Sequence, residues 1–177
     1  MNEEKEGEGA ALEPAGKEFE STAKSLVDET DALLRNAGHP GDDTINQFTR
    51  FYNKAVQNST SNKAVIGRYV KPGDLAPYES YPSVGNRLNA SYIDLKEPYL
   101  SQWNKFAGNS PNAWRTFINK PFLQETANAG KTVYLSTPPD LIGATSTTQW
   151  EIDILVNEFG YSLPVLDPVT GLWIMLP

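Results

Sequence analysis

Short apolar runs bounded by turn formers and separated by helix-patterned stretches constrain this chain more than any other feature. Ala64-Val65-Ile66-Gly67-Arg68-Tyr69-Val70 is β-branched, and Lys71-Pro72-Gly73-Asp74 stops it, as expected of a buried strand. Ser91 to Leu95 reads as a second strand and Lys131 to Leu135 as a third. Tyr161 to Leu166 and Leu172 to Leu176 form a closing hairpin-like pair around Asp167-Pro168-Val169-Thr170-Gly171. Between them, Leu75 to Asn89 is broken by Pro77, Pro82 and Gly85 and predicts at best an interrupted helical connection. Tyr99, Leu100, Trp103 and Phe106 share one helical face. Trp114, Phe117, Ile118, Phe122 and Leu123 share another, with Pro121 placed to kink that helix or begin a new one. A last helix, Thr147 to Phe159, turns Trp150, Ile154, Leu155 and Phe159 inward and stops at Gly160.

This alternation predicts an α/β fold, a layered domain with a small mixed sheet flanked by helices. One or two N-terminal helices precede it. Phe19, Ala23, Leu26, Val27, Thr30, Leu33 and Leu34 fall at helical spacing, and Ile45, Phe48, Phe51, Tyr52 and Val56 mark a second helix starting near Asp43 or Thr44. Met1 to Gly16, rich in Glu with little to bury, reads as a disordered acidic leader. The resulting division is 1–16 leader, 17–60 helical segment and 61–177 α/β body. No apolar run reaches the length of a membrane span and the acidic start is unlike a secretory n-region, so no membrane anchor or cleavable signal is expected.

The available chemistry is narrow. The 177 residues contain no Cys and one His, His39, beside Pro40. A catalytic thiolate and a Cys-based zinc site are excluded, and a Ser-His-Asp relay would rest on that one imidazole. No metal site or cofactor is expected. An enzyme of this composition works with Arg, Lys, Tyr, Ser/Thr and carboxylates.

Charge is segregated along the chain. Residues 1–44 hold 12 acidic and 4 basic side chains, a net of −8, and residues 45–177 hold 10 and 11, a net of +1. All 11 of those cations lie between Arg50 and Lys131. This is either a set of solvated faces or a basic cleft for a phosphate-bearing ligand such as RNA or a dinucleotide.

Ligands of α/β sheets sit beyond the C-terminal ends of the strands. That rule gathers Arg68, Tyr69 and Lys71 after the first strand, Asp94 and Lys96 after the second, and Ser136, Thr137 and Asp140 after the third. Each has a structural alternative: Arg68 in an ion pair, Asp94 as a helix cap, Ser136 to Asp140 as a rigid turn. Glu151, early in the last helix, is favoured there by the helix dipole. With Gln149 it also forms a Gln-x-Glu element that resembles the ADP-ribosyltransferase pattern, with Arg68 as the early arginine. Ser136 and Gln149 lie too close in sequence for the further strands that fold needs.

A broader resemblance runs over residues 64–175. Gly67-Arg68-Tyr69, a Tyr78-containing connection, Ala90-Ser91-Tyr92, Trp114, Asn119-Lys120-Pro121-Phe122-Leu123, a Gly130-led strand, Glu151-Ile152-Asp153-Ile154-Leu155, Phe159-Gly160-Tyr161 and a Trp173 strand follow in order. This series resembles the C-terminal toxin modules of bacterial polymorphic toxins, the tips of contact-dependent inhibition and Rhs-type effectors. The resemblance implies a module secreted or surface-delivered as part of a larger effector, toxic in a competitor's cytoplasm, and neutralised by a cognate immunity protein.

The residue chemistry then favours a metal-independent ribonuclease acting on RNA, tRNA included. Arg68 would hold the phosphate, and Glu151 or Tyr69 would move protons, with Ser136 and Thr137 at the same strand end. Lys71, Asp94, Lys96, Asn119 and Asp140 would bind substrate. An NAD-consuming or ADP-ribosyl-transferring toxin and a non-enzymatic protein-binding module are the alternatives. Oligomeric state is not legible in the sequence.

Overall fold

The computed structural model describes residues 42–177, and the expected leader, the Phe19–Leu34 helix and His39 lie outside them. The described chain is α/β, with a small mixed sheet and helices against it. It sorts into two compact units. One comprises residues 42–55 with Leu95–Pro121; the other comprises Val56–Asp94 with Phe122–Pro177.

The first unit is helical. Helix α1, Asp42–Ala55, buries Phe48, Phe51, Tyr52 and Ala55, the i, i+3, i+4, i+7 stripe that its sequence pattern requires. Val56, expected on that face, instead begins a short strand. Helix α3, Tyr99–Ala107, turns Trp103 and Phe106 inward and ends at Gly108 in the left-handed conformation (φ 65°). Helix α4, Pro111–Trp114, is capped by the Ser110 hydroxyl, which accepts from the Ala113 amide at 3.3 Å. It runs into a π-helical turn, Arg115–Asn119, and then into α5, Lys120–Asn128. The widening has a local cause. Pro121 has no N–H for the Phe117 carbonyl and its ring crowds that carbonyl, so one turn opens to the i→i+5 spacing seen in the bond from the Lys120 amide to the Arg115 carbonyl. Pro121 thus stands in the first turn of α5, directly after the widened turn.

Aromatic rings fill this unit. Phe48 stacks on Phe117 with centroids 3.6 Å apart and planes 6° from parallel, and meets Phe106 edge-on at 4.8 Å. Trp103 sits edge-on to Phe51 at 5.5 Å and to Trp114 at 5.3 Å.

The second unit carries the sheets. Strand β2, Lys63–Ile66, runs parallel to β4, Thr132–Leu135; β6, Trp173–Met175, is antiparallel to β4, and β5, Val165–Leu166, is antiparallel to β6. The order is β2-β4-β6-β5. Strands β1, Val56–Gln57, and β3, Tyr92–Ile93, form a separate antiparallel pair. One parallel bridge, Ala64 to Ser91, ties that pair to β2. The expected strands thus exist but are shorter, because Gly67 (φ 151°) turns the first one out of the ladder after Ile66.

Helix α2, Tyr81–Leu88, packs on β2. The Pro and Gly that suggested an interrupted connection are accommodated: Pro82 sits in the first turn, where its missing N–H costs nothing, and Gly85 sits where only hydrogen fits. A Cβ on Gly85 would lie 2.8 Å from Cγ and 2.9 Å from Cε1 of Tyr92. That ring is buried and its hydroxyl donates to Asn86 Oδ1 at 2.8 Å, so it has no room to yield. Gly85→Ala should therefore cost about 1–3 kcal/mol by urea denaturation, although Ala favours helices by about 1 kcal/mol. In a Tyr92→Leu background the same change should cost clearly less; an equal cost in both backgrounds would remove the ring as the cause.

Two buried polar side chains tie the loops to the sheet. Lys131 Nζ donates to the Ser59 carbonyl at 2.7 Å and to Ser91 Oγ at 3.3 Å, and burial lowers its pKa. Tyr161 donates to the Lys131 carbonyl at 2.7 Å, and burial pushes its phenol up to about 12. Among the described residues no helix is long and apolar enough to cross a membrane.

Candidate active site

The parallel pair β2/β4 sets the site. Their register places Ile66 beside Leu135, so the residues that leave the two C-terminal ends, Gly67-Arg68-Tyr69 and Ser136-Thr137, are neighbours. The Ser136 amide donates to the Ile66 carbonyl at 3.0 Å, and the Arg68 amide donates to Thr137 Oγ1 at 3.0 Å. On its other side the same loop is held by α2. The Val70 amide donates to Ser80 Oγ at 3.0 Å and the Tyr81 amide to the Arg68 carbonyl at 3.3 Å. Arg68 and Tyr69 are thereby presented to solvent from a backbone pinned on both edges.

Ser136 and Thr137 have a different part from the one their sequence position suggests. Both are buried, and Thr137 Oγ1 is spent on the Arg68 amide. Ser136 Oγ has no hydrogen-bond partner and lies under Gly67, where any Cβ would collide with it. Both hydroxyls are closed off from solvent, and that of Thr137 holds the loop through the Arg68 amide.

The chemically informative group is Tyr81, which the sequence reading passed over. Its phenol is raised well above the ordinary tyrosine value, first by burial and then by the negative charge of Glu151 and Asp94, with Tyr69 and Tyr92 contributing further. Two carboxylates and a protonated phenol therefore share one electrostatic neighbourhood at the strand ends. The Tyr81 ring lies 6.5 Å from that of Tyr69 in an edge-on arrangement. Its hydroxyl makes no hydrogen bond to another described residue. The available signal for Tyr81 was Ser80-Tyr81-Pro82, a capping residue with Pro two positions later, which marks a helix start at a strand-end loop.

Glu151 is delivered by α6, Thr147–Asn157, whose N-terminus is capped by Ser146 Oγ accepting from the Gln149 amide at 3.1 Å. Thr148, Glu151, Ile152, Ile154 and Leu155 are its buried residues, so Glu151 is an acidic side chain on the inward side. Trp150 and Phe159, expected inward, are only half-buried. Gln149 faces elsewhere and donates to Asp153 Oδ1 at 2.8 Å on the exposed side. Positions two apart point in nearly opposite directions on a helix, whereas on a strand they share a face. The Gln-x-Glu element therefore does not present its two side chains together.

Asp94, whose charge acts on Tyr81, and the other predicted residues come from separate elements. Asp94 follows β3, half-buried, with its carbonyl accepting from Gln57 Nε2 at 3.1 Å. Lys71 is exposed in the turn closed by the bond from the Asp74 amide to its carbonyl. Asp140 is exposed in the 3₁₀ turn Pro139–Leu141. Lys96 and Asn119 belong to the helical unit, Lys96 exposed and Asn119 buried in the π-helical turn. Among the described residues no group of three or more His, Cys, Asp or Glu side chains is arranged to hold a metal ion.

No protein-family model, curated protein or solved structure matches this chain.

Proposed function

We propose that this chain is an RNA-cleaving toxin module that works by acid–base chemistry at the β2/β4 strand ends. The reading rests on one observation: the buried carboxylate of Glu151 lies in the same neighbourhood as Tyr81, a phenol held protonated, beside the loop that carries Arg68. RNA supplies its own nucleophile, so such a site needs a proton acceptor, a proton donor and a cation. Glu151 takes the proton of the 2′-hydroxyl as that oxygen attacks phosphorus. The bond to the 5′-oxygen breaks, and Tyr81 supplies the proton that oxygen needs, leaving a 2′,3′-cyclic phosphate and a 5′-hydroxyl. Proton return from Glu151 to Tyr81 resets the pair. Arg68, exposed and with no ion pair among the described residues, neutralises the non-bridging oxygens.

The order of motifs supports the wider setting proposed with it: delivery as the tip of a larger effector, action in a competitor's cytoplasm, and restraint in the producer by an immunity protein. The test is induced expression of the full chain in a bacterium beside its Arg68→Ala form, following growth, total RNA and cellular NAD together. Growth arrest with RNA fragments ending in cyclic phosphate is expected, with at least a tenfold slower loss of RNA for Arg68→Ala. NAD loss over intact RNA would replace this reading with the NAD-consuming one, and growth without arrest from folded protein would replace it with a binding module.

A further inference from the structure

Folding re-sorts the charges of this chain by unit. In the helical unit, the described residues 42–55 and 95–121 carry six basic side chains, Arg50, Lys54, Lys96, Lys105, Arg115 and Lys120, against three acidic, Asp42, Asp43 and Glu97, a net of +3. In the sheet unit, residues 56–94 and 122–177 carry five basic against nine acidic, a net of −4. The unit that holds Glu151 and Tyr81 is thus acidic. A polyanion gains its affinity from cations that displace its counterions, so an acidic surface repels the substrate that the acid–base cluster would cut.

The helical unit has a place to take it. Helices α1 and α3 leave an open groove of about 240 Å³ lined by Gln47, Arg50, Phe51, Gln102, Lys105 and Phe106. Phe51 and Phe106 are buried and form an apolar floor. Two cations and two carboxamides stand around it. Arg50 donates to Gln102 Oε1 at 3.2 Å, which sets its guanidinium at the groove, and the same guanidinium lies 5.6 Å from the centre of the Tyr99 ring. Lys54 Nζ approaches that ring too, at 5.3 Å. Arg50 and Lys54 are four residues apart on one helix, a spacing at which like charges repel. Neither Arg50 nor Lys105 has a carboxylate partner among the described residues. Arg50 and Lys105, exposed at the groove with carboxamides beside them, suit an anionic ligand.

We infer that this groove binds the backbone of single-stranded RNA, with Arg50 and Lys105 on phosphates and the carboxamides of Gln47 and Gln102 at the polar edges of a nucleotide. The volume favours a strand over a free small molecule. Sites that enclose a drug-sized ligand run to roughly 300–1,000 Å³, whereas a smaller, open groove suits one nucleotide of a strand lying across it. The inference rests on the RNA reading above for the identity of the polyanion, but it concerns affinity alone.

Affinity is therefore measured apart from cleavage, in the full chain bearing Glu151→Gln, by fluorescence anisotropy with a short labelled single-stranded RNA between about 50 and 200 mM salt. Adding Arg50→Ala and Lys105→Ala together should weaken binding at least tenfold at the lower salt, and flatten the dependence of log K on log salt by about 0.7 for each phosphate left without its cation. Arg87→Ala, which removes a sheet-unit cation paired with Glu79 at 3.0 Å, should change affinity less than twofold. Equal weakening from the two sets, or none from either, would overturn the groove as the binding surface. Cleavage by the unmodified chain with binding unchanged in the double variant would also overturn it and leave the ribonuclease reading standing. Binding that follows the groove, without cleavage by the unmodified chain, would keep the groove and remove the ribonuclease.

Discussion

Glu151→Gln should lower RNA cleavage by about 10²- to 10⁴-fold, the usual contribution of a positioned proton acceptor, while leaving the fold intact. The substitution keeps the shape of the side chain on the buried side of α6 and removes its charge and its capacity to take a proton. Tyr81→Phe should fall in the same direction, and the double variant should be little worse than Glu151→Gln alone, because groups that act as one unit are not additive. A structural role for Glu151 predicts the opposite pattern, with thermal stability falling and residual activity scaling with folded fraction. The pH profile adds an independent reading. Burial, and then the charges of Glu151 and Asp94, raise Tyr81 well above the ordinary tyrosine value near 10, so its proton is retained through that range. Cleavage should accordingly hold steady from about pH 7 to 10; a decline centred near 10 would show that Tyr81 is not the donor.

The second large effect concerns the helical unit. Phe48→Ala should destabilise it by about 3–5 kcal/mol, the range for removing a fully enclosed ring. Phe48 stacks on Phe117 at 3.6 Å and meets Phe106 at 4.8 Å and Trp103 at 5.7 Å, so its removal leaves a void bordered by three rings. Rings that are themselves enclosed cannot close that void cheaply. The readout is urea denaturation followed by near-ultraviolet circular dichroism, in which Trp103 and Trp114 should lose their fixed environment together. Phe48→Leu should cost markedly less. A cost below about 1 kcal/mol for Phe48→Ala would mean that the ring cluster reorganises freely.

Parts of this architecture were legible because local pattern and local physics agree. The face of α1 could be read from Phe48, Phe51 and Tyr52, the third strand from Lys131 to Leu135, of which Thr132–Leu135 pairs, and the closing hairpin from the turn at Asp167, whose carboxylate accepts from Thr170 Oγ1 at 2.6 Å and from the Val169 amide at 3.1 Å. Those hydrogen bonds, the Thr170 one foremost, hold its carboxyl below the usual range. Helix α2 was misjudged because Pro82 and Gly85 count against a helix in isolation. Only the position of Pro82 in the first turn, and the Tyr92 ring against Gly85, turn both residues into fits.

The candidate site divides along the same line. Sequence alone was enough to remove thiol and Cys-based metal chemistry, to restrict imidazole to His39, and to direct attention to Arg68 and Glu151, since strand ends and helix starts are written in local composition. Tertiary structure decided the rest. It spent Thr137 on a backbone amide, closed Ser136 beneath Gly67, and buried Tyr81 within the electrostatic reach of Glu151. It also placed six cations of residues 45–177 in one unit and nine of the acids in the other, although the chain order mixes them. The reason is that burial and electrostatic neighbourhood depend on contacts between residues tens of positions apart, such as Arg68 with Thr137, and no local pattern encodes which of those contacts will form.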